Sequence, residues 1–334
     1  VSLRRVLSAL CLAGAIVVPG ARDLAGAQAS IPGAPRAEQT DRERRTLDLG
    51  SAGVLDLSTI SGDITVTAGT GPATLEIIRR SHARTDAQAK QALDRVTVDV
   101  AEHAGRVTVK TFFPESDGQR SPDVQVSFAV TAPPATALVA RTIAGDISIT
   151  GIHGEVRAST ASGSITLANV TRISEAHSVE GTVTITDAQT DGSVQADSIG
   201  GDVVLARVKA RHVSASSISG KVTVDDTDCE DAVLKTLFGT IEYRGLLAQD
   251  GRYELRTQTG SVHFEPTGRP SFDLDAQSFS GMIQVDPALH FQASAPPRRG
   301  LTGVVGSSLT GTVGTGRATV VVVTFSGSVT IGKR

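Results

Sequence analysis

The chain has 334 residues, 32 of them basic and 35 acidic for a formal charge of −3, with 34 glycines, nine phenylalanines, two tyrosines and no tryptophan. So even a charge balance leaves no electrostatic footprint for nucleic acid or an anionic membrane, and nucleic acid is set aside as a partner. Few aromatics beside abundant Val, Ile, Thr and Ser favour thin β-structure over a bulky aromatic core, and helix is scarce.

The first segment, residues 1–29, reads as an export signal: Arg4 and Arg5, an apolar run from Val6 to Val18, then "AGAQA" with cleavage expected after Ala29. The apolar run is shorter than the roughly 20 residues a helix needs to cross a bilayer. The expected mature protein is therefore exported without a membrane span, to the periplasm, the cell surface or the medium. Cys11 falls in the signal, which leaves Cys229 without a partner for an internal disulfide. Residues 30–46, rich in Pro, Ala and charge, read as a linker ahead of a domain over 47–334.

From Thr59 onward one octapeptide keeps returning: "TISGDITV", "TIAGDISI", "TASGSITL", "SISGKVTV" and, near the end, "TFSGSVTI". Its glycines are Gly62, Gly145, Gly163, Gly181, Gly201, Gly220, Gly239, Gly260, Gly281, Gly311 and Gly327, and between Gly145 and Gly281 they step by 18 to 21 residues. Three residues before each glycine stands Ser or Thr. Alternating small and aliphatic residues precede it (Val156, Ala158, Thr160; Val194, Ala196, Ser198) and follow it (Ile165, Leu167; Val203, Leu205). Period-two alternation turns one face of each short strand inward, and a fixed period near 20 marks a solenoid.

The expected fold is all-β: a single-stack parallel β-solenoid, a right-handed β-helix, each coil a strand, a glycine turn, a second strand and a return loop. At about 4.8 Å per rung, eleven coils make a rod roughly 50 Å long. Glycine supplies turn angles costly to other residues, and the inward Ser or Thr is expected to form a hydroxyl ladder from coil to coil. The octapeptide is thus a structural rung.

Two stretches break the period. Residues 69–135 carry a helix expected over Asp86 to Val96 and strands at "VTVDV", "RVTVKTFF" and "DVQVSFAV", separated by turn formers such as "PESDG"; they read as an inserted sheet with one helix, beside the first coil or capping it. Residues 282–307 include "SAPPRRG", a loop. The closing "TVVVVTFSGSVTIGKR" is an aliphatic strand pair whose evident edge protection is Lys333 and Arg334, which points to end-to-end self-association.

Chemistry is thin. Asp63, Asp146 and Asp202 follow their turn glycines, but other copies carry Ser, Thr, Lys or Met there, so turn chemistry explains them better than catalysis. The run "DDTDCED" offers Asp225, Asp226, Asp228, Glu230 and Asp231 in a return loop, either as Ca²⁺ ligands or as a solvated acidic loop without EF-hand spacing. The seven histidines fall at different offsets from their glycines, and like charges around Cys229 should raise its thiol pKa. Neither a metalloprotease, a nucleophile-elbow nor a phosphate-loop motif is present in the sequence, and no catalytic residue or cofactor is assigned.

The "SGDI", "SGSI" and "SGSV" rungs, the strand and helix insertion after the first rung and the exported N-terminus together resemble the bacterial adhesin-like β-solenoid family, a domain of unknown function. The resemblance spans about Leu47 to Arg334. It implies an envelope or surface solenoid, associated in some members with envelope-stress gene clusters, and supplies no catalytic residues. The expected function is non-catalytic contact or scaffolding with a glycan or protein partner of the envelope. The competing reading is a carbohydrate-active β-helix, a polysaccharide lyase or hydrolase.

Overall fold

A computed structural model describes residues 37–50, 52–113, 123–294, 298–299 and 306–332. The expected export signal, Cys11, the "PESDG" turn, most of "SAPPRRG" and the closing Lys333 and Arg334 lie outside the described residues.

The repeat builds a large, mostly parallel sheet wound into coils. In the Gly163 coil the first arm, Glu155–Ser162, pairs in parallel with Ala137–Ala144 on one side and Arg172–Ser178 on the other. The second arm, Ile165–Ala168, lies between Ile147–Thr150 and Val183–Thr186. Alternation sends Val156, Ala158, Ile165 and Leu167 into a dry interior, all fully buried. Six residues after the glycine the chain turns back through a left-handed residue in consecutive coils: Gly151, Asn169, Asp187, Arg207 and Asp226. Gly, Asn and Asp tolerate that conformation best. The next residue closes the interior, as Ile152, Val170, Ala188, Val208 and Thr227 are buried.

The rungs are locked by a bond that differs from the expected hydroxyl ladder. Each inward hydroxyl donates to the glycine carbonyl of the rung beneath: Thr142 to Gly62 at 3.2 Å, Thr160 to Gly145 at 3.1 Å, Ser178 to Gly163 at 2.8 Å and Ser198 to Gly181 at 2.8 Å. The same bond continues from Ser217, Thr236, Thr257, Thr324 and Ser278. A hydroxyl with a carbonyl in reach satisfies a group that would otherwise sit unpaired in the core. The glycines are required by close approach as well as by conformation. A β-carbon on Gly145, Gly163, Gly181, Gly201, Gly220, Gly239, Gly260, Gly327 or Gly281 would run into the carbonyl of the neighbouring rung's glycine. At Gly62, Gly145, Gly163, Gly260 and Gly327 φ is also between +130° and +154°.

Stack order departs from chain order at both ends. The N-terminal elements are β1 (Ala37–Leu47), β2 (Val54–Ser58), β3 (Ile64–Ala68), β4 (Ala73–Ala83), α1 (Asp86–Arg95), β5 (Thr97–His103), β6 (Arg106–Phe112) and β7 (Asp123–Ala132). β6 pairs in parallel with β2, and β7 with β3, so part of the stretch read as an insertion is itself a coil, lying beneath the first octapeptide. Thr111 and Val126 stand where other coils have the hydroxyl residue and the glycine: Thr59 donates to the Val126 carbonyl at 3.0 Å. What remains, β4, α1 and β5, covers that end. β4 pairs antiparallel with β7, and β5 with β6 through a tight turn at Ala104 and Gly105, both at positive φ. α1 starts at the Thr85 cap, whose side chain accepts from the Gln88 amide, and packs Ala89, Ala92 and Leu93 inward.

Residues 37–46, expected as linker, belong to β1, which pairs antiparallel with β4 along its whole length. Its charges are cross-strand partners rather than marks of an unstructured chain: Arg80 meets Glu38 at 3.0 Å, Arg42 and Arg44 flank Glu76, and Arg79 bonds Asp41. A charged outermost strand also discourages pairing with another molecule.

At the other end the final octapeptide coil, Ala318–Ser326 with Val329–Ile331, slots between the Gly260 and Gly281 coils. The closing strands therefore lie inside the stack and are not the edge on which end-to-end self-association was expected. Gly311 is not a rung glycine: its strand, Ser307–Val313, runs antiparallel to Phe272–Ser280 and covers the last coil. These terminal coils hold an aromatic cluster that low aromatic content argued against. Tyr243 stacks on Phe264 at 5.1 Å, and Tyr253 and Phe272 pack edge-on to this pair.

Two substitutions test the ladder. Gly201→Ala should cost about 3 kcal/mol or more by forcing neighbouring rungs apart, whereas Gly71→Ala, with open space around it, should stay within about 0.5 kcal/mol. Ser198→Ala, which loses the bond to Gly181 and the one accepted from the Gly201 amide, should cost about 1 to 3 kcal/mol. Urea unfolding of the three variants beside the parent chain measures all of these.

Candidate functional site

Between the inward hydroxyl residue and the turn, two positions before the glycine, alternation places one side chain outward. In stack order that position holds Phe112, Ile60, Ile143, Ala161, Val179, Ile199, Ile218, Leu237, Gln258, Phe325 and Phe279. The eight largest apolar members, all but Ala161, Val179 and Gln258, are between 40% and 56% exposed. Because the coils stack in register, these residues form one apolar edge along the rod. Phe238 and Met282, beside the turn, extend it. The octapeptide carried the signal: its second residue is usually apolar yet sits at an outward position. Reading each rung only for its inward set hid this.

Towards the end bearing the Gly281 coil the edge widens into an open groove of about 710 Å³. Leu237, Phe325 and Phe279 form its apolar part, the two phenylalanines stacked face to face at 4.6 Å. Lys235 and Arg256 bring positive charge to one side, with Arg256 held by Glu254 at 2.6 Å.

The residues singled out for chemistry are placed otherwise. Asp63, Asp146 and Asp202 bond upward to the next rung: Asp63 accepts from the Asp146 amide at 3.0 Å, Asp146 from the Ser164 amide at 2.7 Å and Asp202 from the Lys221 amide at 2.8 Å. They extend the ladder where turn-local bonds were expected. The acidic run crosses the return of its coil as part of one continuous strand, Val222–Phe238, rather than as a loop. Its carboxylates face basic partners on adjacent rungs: Asp225 with Arg244 at 3.9 Å, Asp228 with Lys209 at 3.3 Å, Glu230 with Arg211 at 3.9 Å and Asp231 with His212 at 2.9 Å. Asp226 takes the left-handed return position. Among the described residues no three His, Cys, Asp or Glu gather as a metal site.

Cys229 is buried between these acids. Its thiol is pushed up to about 12, first by burial, with Asp228 and Asp231 adding to it and a Tyr243 hydrogen bond opposing. Like charge, the expected cause, is secondary. Burial also raises Tyr243 and Tyr253, and the Tyr253 hydroxyl donates to the Cys229 carbonyl at 2.6 Å while accepting from the Ala248 amide at 2.8 Å.

A capped parallel solenoid with an apolar edge is the class of protein that fold and surface define. The sequence profile of the Toastrack DUF4097 family matches residues 50–332, and the chain belongs to that family. No curated protein sequence matches it. Among solved structures it is similar to a "putative adhesin" from Bacteroides fragilis, at 13% identity and a TM-score of 0.38, over 88% of this chain and 97% of that one. It is similar also to a "putative lipid binding protein" from Parabacteroides distasonis (12%, TM-score 0.39, 68% and 90%) and a "putative cell adhesion protein" from Clostridium sporogenes (8%, TM-score 0.23, 89% and 100%). Among the described residues no helix is long and apolar enough to cross a membrane.

The buried thiol and phenols have a pH consequence. Their folded pKa values lie above the unfolded ones, so the folded state holds protons that the unfolded chain releases, and stability falls as pH rises above about 9. Melting temperature should decline from there, with a slope of about 1.4 kcal/mol per pH unit for each retained proton. Cys229→Ala should make the decline shallower. Thiol reagents at pH 8 should label Cys229 only in denaturant.

Proposed function

We propose that this protein is an exported, non-catalytic contact module of the bacterial envelope, adhesin-like in use, built on a right-handed solenoid that holds its apolar edge towards a glycan or protein partner. The observation that carries the reading is the edge itself. A soluble monomer rarely exposes a contiguous apolar patch above about 300–600 Å², and larger ones mark interaction surfaces. Repetition on ten of the eleven rungs, all but that of Gln258, makes the edge a built surface, since a rung needs an apolar residue there for neither its turn nor its core. The bonding of the rung aspartates to backbone amides gives them structural work and leaves recognition as the simpler role for the exposed surface.

The test is cosedimentation of the chain with isolated envelope fractions, beside a glycan array. The paired variant Leu237→Gln with Phe325→Gln copies the polar residue that Gln258 already places on the edge. The parent chain should bind saturably, the variant at least tenfold more weakly, and no reducing ends or unsaturated sugars should be released. Equal binding by the variant, or turnover of any glycan, overturns the reading.

A further inference from the structure

Resting on that reading of the edge, we propose that its first occupant is a second copy of this chain, which an envelope partner displaces on binding, the two rods lying parallel about a two-fold axis that runs along the edge. Area supports this. With an aromatic or large aliphatic side chain of about 150–250 Å² roughly half exposed, eight such residues with Phe238 and Met282 present on the order of 900 Å², against about 800 Å² per partner in a standard stable interface. Geometry supports it too. An isologous contact needs a surface that matches itself, and two copies of one solenoid have the same rung spacing, so contacts made at one rung recur at the next without drift. The ends of the stack are covered by antiparallel strands, which leaves the side as the surface through which two copies can meet.

At the Gly145 rung charge favours the parallel arrangement, while at the Gly201 rung the same geometry sets Asp197, held by Ser216 and Gln195, opposite the partner's Asp202. On the first-arm side of the edge stand Lys110 and Arg141, and on the second-arm side Asp63 and Asp146, all exposed. A two-fold along the rod sets the first-arm flank of each copy against the second-arm flank of the other, so that Arg141 faces the partner's Asp146 twice per dimer. Arg141 already contacts Asp56 of its own chain at 3.1 Å, which holds it at the flank. An antiparallel two-fold would set like flanks together and bring neither charge to its opposite.

Sedimentation velocity of the full chain over a concentration series tests the contact. The parent should be a dimer, and Ile143→Gln with Ile218→Gln should raise the dimer dissociation constant at least tenfold. Arg141→Glu and Asp146→Lys should each weaken dimers alone, while an equimolar mixture of the two should recover them, because the mixed pair restores attraction at both contacts. Other rungs carry Asp197 and Lys221 at the equivalent positions, so both charges suit the fold, and circular dichroism checks it. A parent chain that stays monomeric at about 100 μM, edge variants that dimerise as the parent does, or a mixture no tighter than its components overturns the proposal. A monomer that still binds envelope fractions through Leu237 and Phe325 would overturn the dimer and leave the contact reading standing. A dimer that binds none would do the reverse.

Discussion

Everything in this fold depends on the hydrogen bond from an inward Ser or Thr to the glycine carbonyl of the adjacent rung. The bond forms only if two backbones approach closely enough to exclude a β-carbon, and that approach is possible only at glycine. Hydroxyl and glycine are therefore one device. It fixes the register of both arms at once, because a one-residue slip would move the hydroxyl to the outer face and the aliphatic set with it. The aspartates after the turn repeat the logic on the other side, reaching up to the next rung's amide where the hydroxyl reaches down.

A ladder that propagates so readily needs to be stopped. Both ends do so by turning the chain antiparallel: β4 and β5 over the first coil with charged β1 outermost, and Ser307–Val313 over the last. Near each cap a coil is out of chain order, β6 and β7 lying beneath the first octapeptide and the final octapeptide slotting between two earlier coils. Each crossing ties residues far apart in sequence into neighbouring rungs, which joins caps and array into a single cooperative structure instead of a stack that frays coil by coil.

The two faces of the first arm divide the labour. Inward, small and aliphatic residues fill a narrow interior that broadens at Tyr243, Tyr253, Phe264 and Phe272, where coils lengthen and a buried thiol and two phenols are kept protonated. Outward, the residue before the turn stays apolar on rung after rung at a cost in exposed surface that packing does not offset. The acidic run shows the contrary pattern: its charges meet basic partners on adjacent rungs and become part of the wall.

The rung, its glycine, its hydroxyl and the inward alternation were legible in the sequence, because each depends on local periodicity that stacking merely repeats; so were α1 and the strands after it. The partner of each hydroxyl was not, since whether it meets another hydroxyl or a carbonyl depends on how two coils sit against one another. Nor was the order of the stack. Gly311 has the Ser308 three positions before it that marks a rung yet lies in an antiparallel cap, and Val126, which lacks the glycine, lies in a coil, because pairing is decided between strands distant in the chain. β1 reads as a charged linker until its partners on β4 are in place. The apolar edge was written in every octapeptide, but only stacking turns scattered single residues into a continuous surface, since adjacency between them exists across coils and not along the chain.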